Sequence, residues 1–473
     1  MAKKTKTKTK KKNVFAGVGI SKASEPFKAG KEAVEMAMEE IKKHGGDKAT
    51  FGLVFCSGRK YGKDDKTIQK LVDGAHSVFG NTPWVGCTTA GEISSYGFTE
   101  GSCVAMVIQS EHIHVGVGIG NDTNKKPKKA GSDAIKQALN NIKIDKYVEP
   151  YIRYLAEKKL PISELIRMRP YCVLMLTNGF TTTRRGNEDD IVEGIIDVIG
   201  HRIPIIGSSA GDDFKLKKTY TFWNGKIYDN SVVCVVISSN LKIAYQVKHG
   251  YIPTEKSMFV NKAKDYIVYE LDKKTAFDRY AEVLKKKKEE IWPTSMKLQQ
   301  LGPISSAFMA FARKIDIDVM KLSPIIEINC NMPLALCEYK PYLKGRFWIK
   351  GLDSIVEKKY IRFTEKVPQG TALYVMKTSK EKSLKAAQES VKEGLKEVGR
   401  GAAFALVFDC ALHRWFLGKH AKHSIDLMKA ALKDVPVIGM YSYGEILDGK
   451  HTLSVASMVV GEKLVVSEVN QKV

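Results

Sequence analysis

A chain of 473 residues, 44% hydrophobic and 27% charged, has the composition of a globular protein and room for two to four domains. No apolar run reaches the roughly 18 residues that a membrane-spanning helix needs, and no apolar stretch follows the lysine-rich N-terminus as in a signal peptide, so the expectation is a soluble, cytoplasmic protein. The net charge is +24, and seven lysines fall within residues 1–12. That tail has no apolar residue to bury; the expectation is a disordered segment that touches anionic surfaces only non-specifically. No arginine-rich stripe with interleaved aromatics marks a specific nucleic-acid surface. The eight cysteines show no CxxC spacing and no accompanying histidine cluster, so neither a metal site, a disulfide framework nor a cofactor is expected.

In chain order, residues 13–24 read as a first strand, and the spacing of Ala33, Ala37, Met38 and Ile41 predicts a helix from Phe27 to His44. Thr50–Cys56 is a continuous apolar strand of the kind buried on both faces. A helix over Lys66–Phe79, the short strand Trp84-Val85, a loop over Gly86–Gly91 and a two-strand meander over Ser102–Ile108 and Ile113–Ile119 complete a unit. The same order returns with a strand at Tyr171–Thr177, a helix at Glu188–Ile199, a short strand at Pro204–Ile206, a loop at Gly207–Gly211, and strands at Thr219–Trp223, Ser231–Ile237 and Ile243–His249. Residues 121–170 read as helical filling, clearest at Leu155–Ile166. Beyond about residue 250 the repeat is lost. Strands are predicted at Phe347–Ile349, Tyr360–Phe363 and Ala372–Met376, and a well-patterned helix at Lys380–Val398. The strand Ala402–Phe408, a helix at Ser424–Leu432, the strand Pro436–Ile438, a third loop and strands at Thr452–Val460 and Lys463–Val469 then rebuild the first unit. The expected fold is α/β: layered mixed-sheet domains built from repeated strand-helix-strand-strand-strand units. The expected division is a tail over 1–12, one domain over 13–252 and a second over 253–473.

Three stretches carry the repeat: Pro83-Trp-Val-Gly-Cys-Thr-Thr-Ala-Gly-Glu92, Pro204-Ile-Ile-Gly-Ser-Ser-Ala-Gly-Asp212 and Pro436-Val-Ile-Gly-Met-Tyr-Ser-Tyr-Gly-Glu445. Gly86 and Gly207 lie 121 positions apart, and Gly207 and Gly439 lie 232 apart, nearly twice the first interval. With these motifs the chain resembles the FIST family, a FIST N domain followed by a FIST C domain. The segment Glu270-Leu271-Asp272 through Ala276, Asp278 and Tyr280 is similar to the family's connector. Phe408-Asp-Cys410 with Arg414 is similar to an element of its C domain, although three residues separate the cysteine and the arginine. The resemblance implies a sensory protein that binds a small ligand, an amino acid or a related metabolite, in signal transduction. No kinase, cyclase or DNA-binding motif is read beside it, so a stand-alone sensor with a separate output protein is the expectation.

Glycines at both ends of each loop permit positive φ and close approach by a ligand. The expected ligand-binding residues are therefore Gly86, Cys87, Thr88, Thr89, Gly91 and Glu92 in the first loop and Gly207, Ser208, Ser209, Gly211 and Asp212 in the second. In the C-terminal part they are Cys410, Arg414, Tyr441, Ser442, Gly444 and Glu445. The acids would receive an ammonium, while backbone amides or Arg414 hold a carboxylate. In the competing account the acids accept bonds from their own loops and only shape the turn. An enzyme is the other class: Cys87, or Cys410 with His413, would act as a thiolate nucleophile in a hydrolase or transferase. An interaction scaffold whose loops are purely structural is the third.

Overall fold

The computed structural model describes residues 12–142, 171–181, 184–292, 324–340, 343–399 and 401–465. The tail up to residue 11 and the expected Leu155–Ile166 helix lie outside these residues. In chain order the first part runs β1 (Val14–Ser21), α1 (Pro26–Lys43), β2 (Phe51–Ser57), α2 (Asp65–Phe79), β3 (Trp84–Thr89), β4 (Glu92–Ser94), β5 (Gly97–Thr99), β6 (Cys103–Ser110), β7 (Ile113–Asn121) and α3 (Pro127–Asn141). The second comprises β8 (Tyr171–Thr177), α4 (Glu188–Ile199), β9 (Ile205–Ser209), β10 (Thr221–Trp223), β11 (Lys226–Tyr228), β12 (Ser231–Ser239) and β13 (Leu241–Lys248). Eight strands from β14 (Ile252–Lys264) to β21 (Ala372–Lys377) follow, with helices α5 (Ala276–Leu284), α6 (Lys288–Ile291) and α7 (Pro324–Asn331) among them. The chain closes with α8 (Lys380–Val398), β22 (Ala402–Cys410), α9 (Ala411–Leu417), α10 (Ala421–Leu432), β23 (Val437–Ser442), β24 (Glu445–Leu447), β25 (Lys450–His451) and β26 (Val455–Leu464).

Among the described residues these strands make three sheets of six strands and one of eight. The first sheet is ordered β1-β6-β2-β3-β10-β11, the second β7-β12-β8-β9-β24-β25 and the third β13-β26-β22-β23-β4-β5. Each is built alike. A parallel pair (β2–β3, β8–β9, β22–β23) lies at its centre, two antiparallel strands lie on one side and a short hairpin on the other. The parallel pairs follow from helical crossovers, which bring the second strand back in the same direction. The hairpins are exchanged: β10–β11 completes the first sheet, β24–β25 the second and β4–β5 the third. The mixed-sheet α/β fold expected from the sequence is the fold of this chain.

The sequence reading grouped the strands differently. It closed the first unit with Ile113–Ile119, yet β7 pairs with β12, in the second sheet. It gave Ile243–His249 to the second unit, yet β13 pairs with β26 in the third. Alternating apolar residues specify a strand and its buried face but not its neighbour, which tertiary packing selects. The third sheet thereby joins strands from both sides of residue 252. The loops expected at Gly86, Gly207 and Gly439 are also strand: β3, β9 and β23 continue through them to Thr89, Ser209 and Ser442. A helix, α9, occupies 411–417, where no element was predicted.

Inner faces of the three sheets share one apolar core, where Leu53, Phe55, Leu174, Leu176, Phe408 and Met440 are fully buried. Phe55 and Phe408 meet edge to face across it, their centroids 6.2 Å apart. Helices cover the outer faces: α1 and α2 lie over the first sheet, α3 and α4 over the second, α8 to α10 over the third. The eight-stranded sheet packs its own core around Val260, Leu271, Phe277, Tyr280 and Phe363.

The first glycine of each repeated stretch has a packing cause. A Cβ on Gly86, Gly207 or Gly439 would stand 1.9, 1.8 or 1.9 Å from the carbonyl oxygen of Val54, Met175 or Val407 on the neighbouring parallel strand. Gly207→Ala should therefore cost on the order of 3 kcal/mol, whereas Gly200→Ala should cost only about 1 kcal/mol for its backbone conformation. Gly200 has φ +75 and open space around its Cβ position. Urea unfolding of the two variants checks the contrast; equal costs would refute it.

Candidate functional site

Past the ends of β3, β9 and β23, three bends hydrogen-bond one another in a closed ring. Gly211 N–H donates to Thr88 O at 2.9 Å, tying the second bend to the first. Ser209 N–H donates to Gly444 O at 2.9 Å and Tyr443 N–H to Ser209 O at 3.2 Å, tying second to third. Ala90 N–H donates to Tyr441 O at 2.9 Å, and Tyr441 N–H returns a bond to Gly91 O at 2.8 Å. Residues more than 350 positions apart in sequence thus become neighbours.

The three acids of the motif face inward, toward the bends and the chain beside them. Glu92 Oε1 accepts from the Thr89 hydroxyl at 2.6 Å; its Oε2 accepts from Ser102 N–H at 2.9 Å and from the Ser102 hydroxyl at 2.7 Å. Glu445 accepts from the hydroxyls of Ser442 at 2.8 Å and Ser454 at 3.0 Å. Asp212 Oδ1 accepts from Leu216 N–H at 2.9 Å and Tyr443 Oη–H at 2.6 Å, and its Oδ2 from Lys217 N–H at 2.8 Å. All three are buried, and burial raises each carboxyl: Glu92 to about 7, Glu445 well above the usual carboxylate range, Asp212 upward. The hydroxyls are engaged as well: Thr88 Oγ1 accepts from Tyr220 N–H, Ser208 donates to Gly444 O, and Ser209 donates to Glu188. Of the two chemistries open in the sequence, this geometry matches acids that lock turns.

Arg414 behaves differently. It projects from α9 into the contact between the first and third bends, with only 4% of its side chain exposed. Its Nη1 donates to Ala90 O and, at 3.2 Å, to Asp213 Oδ1; its Nη2 pairs with Glu100, half of whose side chain is exposed. The guanidinium lies 4.9 Å from the centroid of Phe98 and 5.5 Å from that of Tyr441. Gly91, at φ +135, leaves the space: a Cβ there would come within 2.9 Å of Nη1. Burial pulls the guanidinium down to about 10. Asp213 Oδ2 also pairs with Arg59 at 3.3 Å, and Lys215 donates to Arg59 O at 2.8 Å. Asp213, Phe214 and Leu216 have φ of 53, 59 and 53, left-handed values that cost non-glycine residues about 1–3 kcal/mol each. The Asp212 carboxylate and the Tyr443 hydroxyl, which accepts from Phe214 N–H at 2.6 Å, hold that conformation.

The structure therefore assembles Gly91, Tyr441 and Arg414 around one guanidinium. It leaves Gly86, Gly207, Cys87 and Cys410 in packed strands. Arg59, Phe98, Glu100 and Phe214 escaped the sequence reading. Gly58-Arg59 follows a buried strand as Cys410…Arg414 does, and that shared position was the available signal. His413 Nδ1 bonds Asp409 Oδ1 at 2.7 Å, and Cys87 Sγ lies 3.4 Å from Met440 Sδ. Burial pushes both the Cys87 and the Cys410 thiols up, away from the thiolate.

The chain belongs to the FIST family: the FIST N domain matches residues 50–274 and the FIST C domain residues 276–448. Domains of this family are in general sensory, ligand-binding domains of signal transduction. An uncharacterized protein of Methanocaldococcus jannaschii is 26% identical over 367 residues, which are 77% of this chain and 60% of that protein, so the chain spans three-fifths of its relative's length. Among solved structures, cyanuric acid hydrolase from A. caulinodans aligns over 95% of this chain and 100% of its own at 8% identity and a TM-score of 0.34. T. maritima PurL complexed with FGAR aligns over 96% of this chain and 75% of its own at 10% identity and a TM-score of 0.21. Likenesses this slight bear on nothing further. Among the described residues no helix is long and apolar enough to cross a membrane.

Two measurements probe the site's electrostatics. A buried carboxyl held above its unfolded value near 4.3 gives stability that is fully present below that value and lost as pH rises through about 7. Glu92→Gln removes this contribution, on the order of 3 kcal/mol, so the variant's melting temperature should fall less than the wild type's between pH 5 and 7.5. Parallel curves would contradict it. Seven of the eight cysteines are buried and Cys337 is exposed. A thiol-specific reagent should accordingly label one cysteine rapidly in the native protein and eight after denaturation. Rapid native labelling of Cys87 or Cys410, located by peptide mapping, would reinstate the thiol enzyme.

Proposed function

We propose that this chain is a small-ligand sensor of the FIST type, acting in the cytoplasm, whose ligand is an amino acid or a related metabolite and whose bound state is passed to a separate output protein. One observation carries the reading: Arg414 and Asp213 stand side by side where the three bends meet, and the outer partner of Arg414, Glu100, is half exposed. An amino acid offers the two complementary charges. Its carboxylate takes the place of Glu100 on the guanidinium, and its ammonium takes a position against Asp213. Two aromatic faces hold the guanidinium plane, so its donors are oriented before the ligand arrives.

The remaining motif residues (Gly86, Cys87, Thr88, Thr89, Glu92, Gly207, Ser208, Ser209, Gly211, Asp212, Cys410, Ser442, Gly444 and Glu445) maintain the ring, while Gly91, Tyr441 and Arg414 line the ligand. The stretch from Asp213 to Leu216, left-handed at Asp213, Phe214 and Leu216, is the element a ligand would bias. It stores backbone strain, and Asp213 belongs both to that run and to the ion pair. Binding that redistributes the bonds of Asp213 shifts the equilibrium between the strained and a relaxed bend, and an output protein reads the difference.

A thermal-shift series with the L-amino acids tests this. A ligand at a hundred times its Kd adds about 2.7 kcal/mol to apparent stability. Glu100→Gln removes the competing carboxylate and should tighten binding about tenfold, or roughly 1.4 kcal/mol. Arg414 itself is a poor probe, because its removal takes a buried partner from Ala90 O and Asp213 together. If no amino acid raises the melting temperature of either the wild type or Glu100→Gln, the proposal is wrong.

A further inference from the structure

Glu100, the outer partner of Arg414, sits in the turn between β5 and β6, and Ser57, Lys60 and Glu92 hold that turn from behind. Ser57 N–H donates to Ser102 O at 2.9 Å. The ammonium of Lys60 donates to Gly101 O at 3.1 Å and to Lys22 O at 2.8 Å. Glu92 Oε2 accepts from both the N–H and the hydroxyl of Ser102, and that hydroxyl lies 2.7 Å from Thr99 Oγ1. The carbonyl of Gly101 and the N–H of Ser102 belong to one peptide plane. Lys60 holds its oxygen and Glu92 its hydrogen, so the plane lies between an ammonium and a carboxylate that attract each other. Gly101, at φ +72, joins this plane to Glu100, and glycine enters and leaves that conformation at no steric cost. Of these holds, the one from Glu92 can be cancelled by a proton. A carboxylate accepts from all three of its donors; a neutral carboxyl must place a hydrogen on one oxygen, and the charge that strengthened the bonds is gone. The plane then loses one of its two holds, and Glu100 loses its fixed position.

We infer that Glu92 is a positioning residue of the Arg414 site: as a carboxylate it holds the turn that keeps Glu100 on the guanidinium, and as a neutral acid it frees Arg414 for an incoming carboxylate. This rests on the amino-acid reading above and adds to it a coupling to protons. Glu92 itself is fully buried and touches no ligand. Electrostatics act in the same direction. Glu92 faces Arg414 from α9, Lys60 and Tyr61 beyond the end of β2, Cys56 in β2 and Cys103 in β6. Burial pushes the two thiols and the Tyr61 hydroxyl up, so they stay neutral near pH 7. Neutralising Glu92 therefore leaves the guanidinium more attractive to an anion. Burial also lifts the Glu92 carboxyl to about 7. A ligand that prefers the protonated form raises that value in the complex, so affinity is fully developed below about 7 and falls as pH rises above it.

The L-amino acids other than histidine, whose own side chain titrates in this range, serve as probes, applied singly to the full chain at pH 6 and pH 8 by thermal shift and then by isothermal titration. Any that binds should bind about tenfold tighter at pH 6, following the protonated fraction of a group that titrates near 7. Glu92→Gln keeps the shape and lacks the charge. It should bind at pH 8 as the wild type does at pH 6, with less than a twofold change between the two. Ser102→Ala leaves Glu92 in place but weakens its hold on the turn, and should tighten binding several-fold at pH 8. It decides by itself should Glu92→Gln not fold. A residue that merely supported the fold would weaken binding when lost, so a gain of affinity separates positioning from structure. If an amino acid binds the wild type no tighter at pH 6 and neither variant gains affinity, the role of Glu92 is refuted while the amino-acid reading stands. If the pH dependence persists in Glu92→Gln, another group such as His413 titrates, and the role of Glu92 is again refuted. If no amino acid binds the wild type or either variant at either pH, both readings fail.

Discussion

Each of the three six-stranded sheets is completed by a hairpin from another part of the chain, and the exchange closes on itself. The hairpin that follows β3 finishes the third sheet, the one that follows β9 finishes the first, and the one that follows β23 finishes the second. Removing any third of the molecule would leave a neighbouring sheet with an open edge, which isolated proteins avoid. The same exchange forces the three bends together, since each bend is the link between a central strand and a hairpin sitting on a different sheet. The ring of backbone bonds at the site is therefore a consequence of how the sheets close.

That constraint explains why the repeated acids are turned inward. A bend crossing from one sheet to the next leaves backbone N–H groups and hydroxyls in a dry interior, where an unpaired polar group costs about 1–3 kcal/mol. Glu92, Asp212 and Glu445 accept those bonds. Repetition of the motif reflects repetition of this need. Symmetry is broken around Arg414, which enters from the short helix α9, and Asp213 answers it from a strained stretch.

The second and third bends meet over a different cation. Lys450 pairs with Glu188 at 2.9 Å, and Glu188 also accepts from Ser209. Lys450 N–H also donates to Asp189, and Glu365, which accepts from Thr452 and follows a strand of the eight-stranded sheet, acts on the same ammonium. Lys366 strengthens the same contact through Asp190 and Glu193, each at 2.6 Å. One cation of the ring thus ties the sheets to the rest of the chain, while the other has a half-exposed carboxylate as its partner.

Local pattern determined much of this protein. Continuous apolar runs announced β2, β8 and β22, helical spacing announced α1, α2, α4 and α8, and three glycine-acid stretches announced the three bends that meet. The sequence could not assign partners, because a strand's alternation names its buried face and not the strand beside it; β7 and β13 were misplaced for that reason. Nor could it distinguish an acid that locks a turn from one that meets a ligand, since the residues are the same and only the donors around them differ. Arg59, Glu100 and Asp213 lie far from one another in the chain, and only the closure of three sheets on a common core sets them beside Arg414.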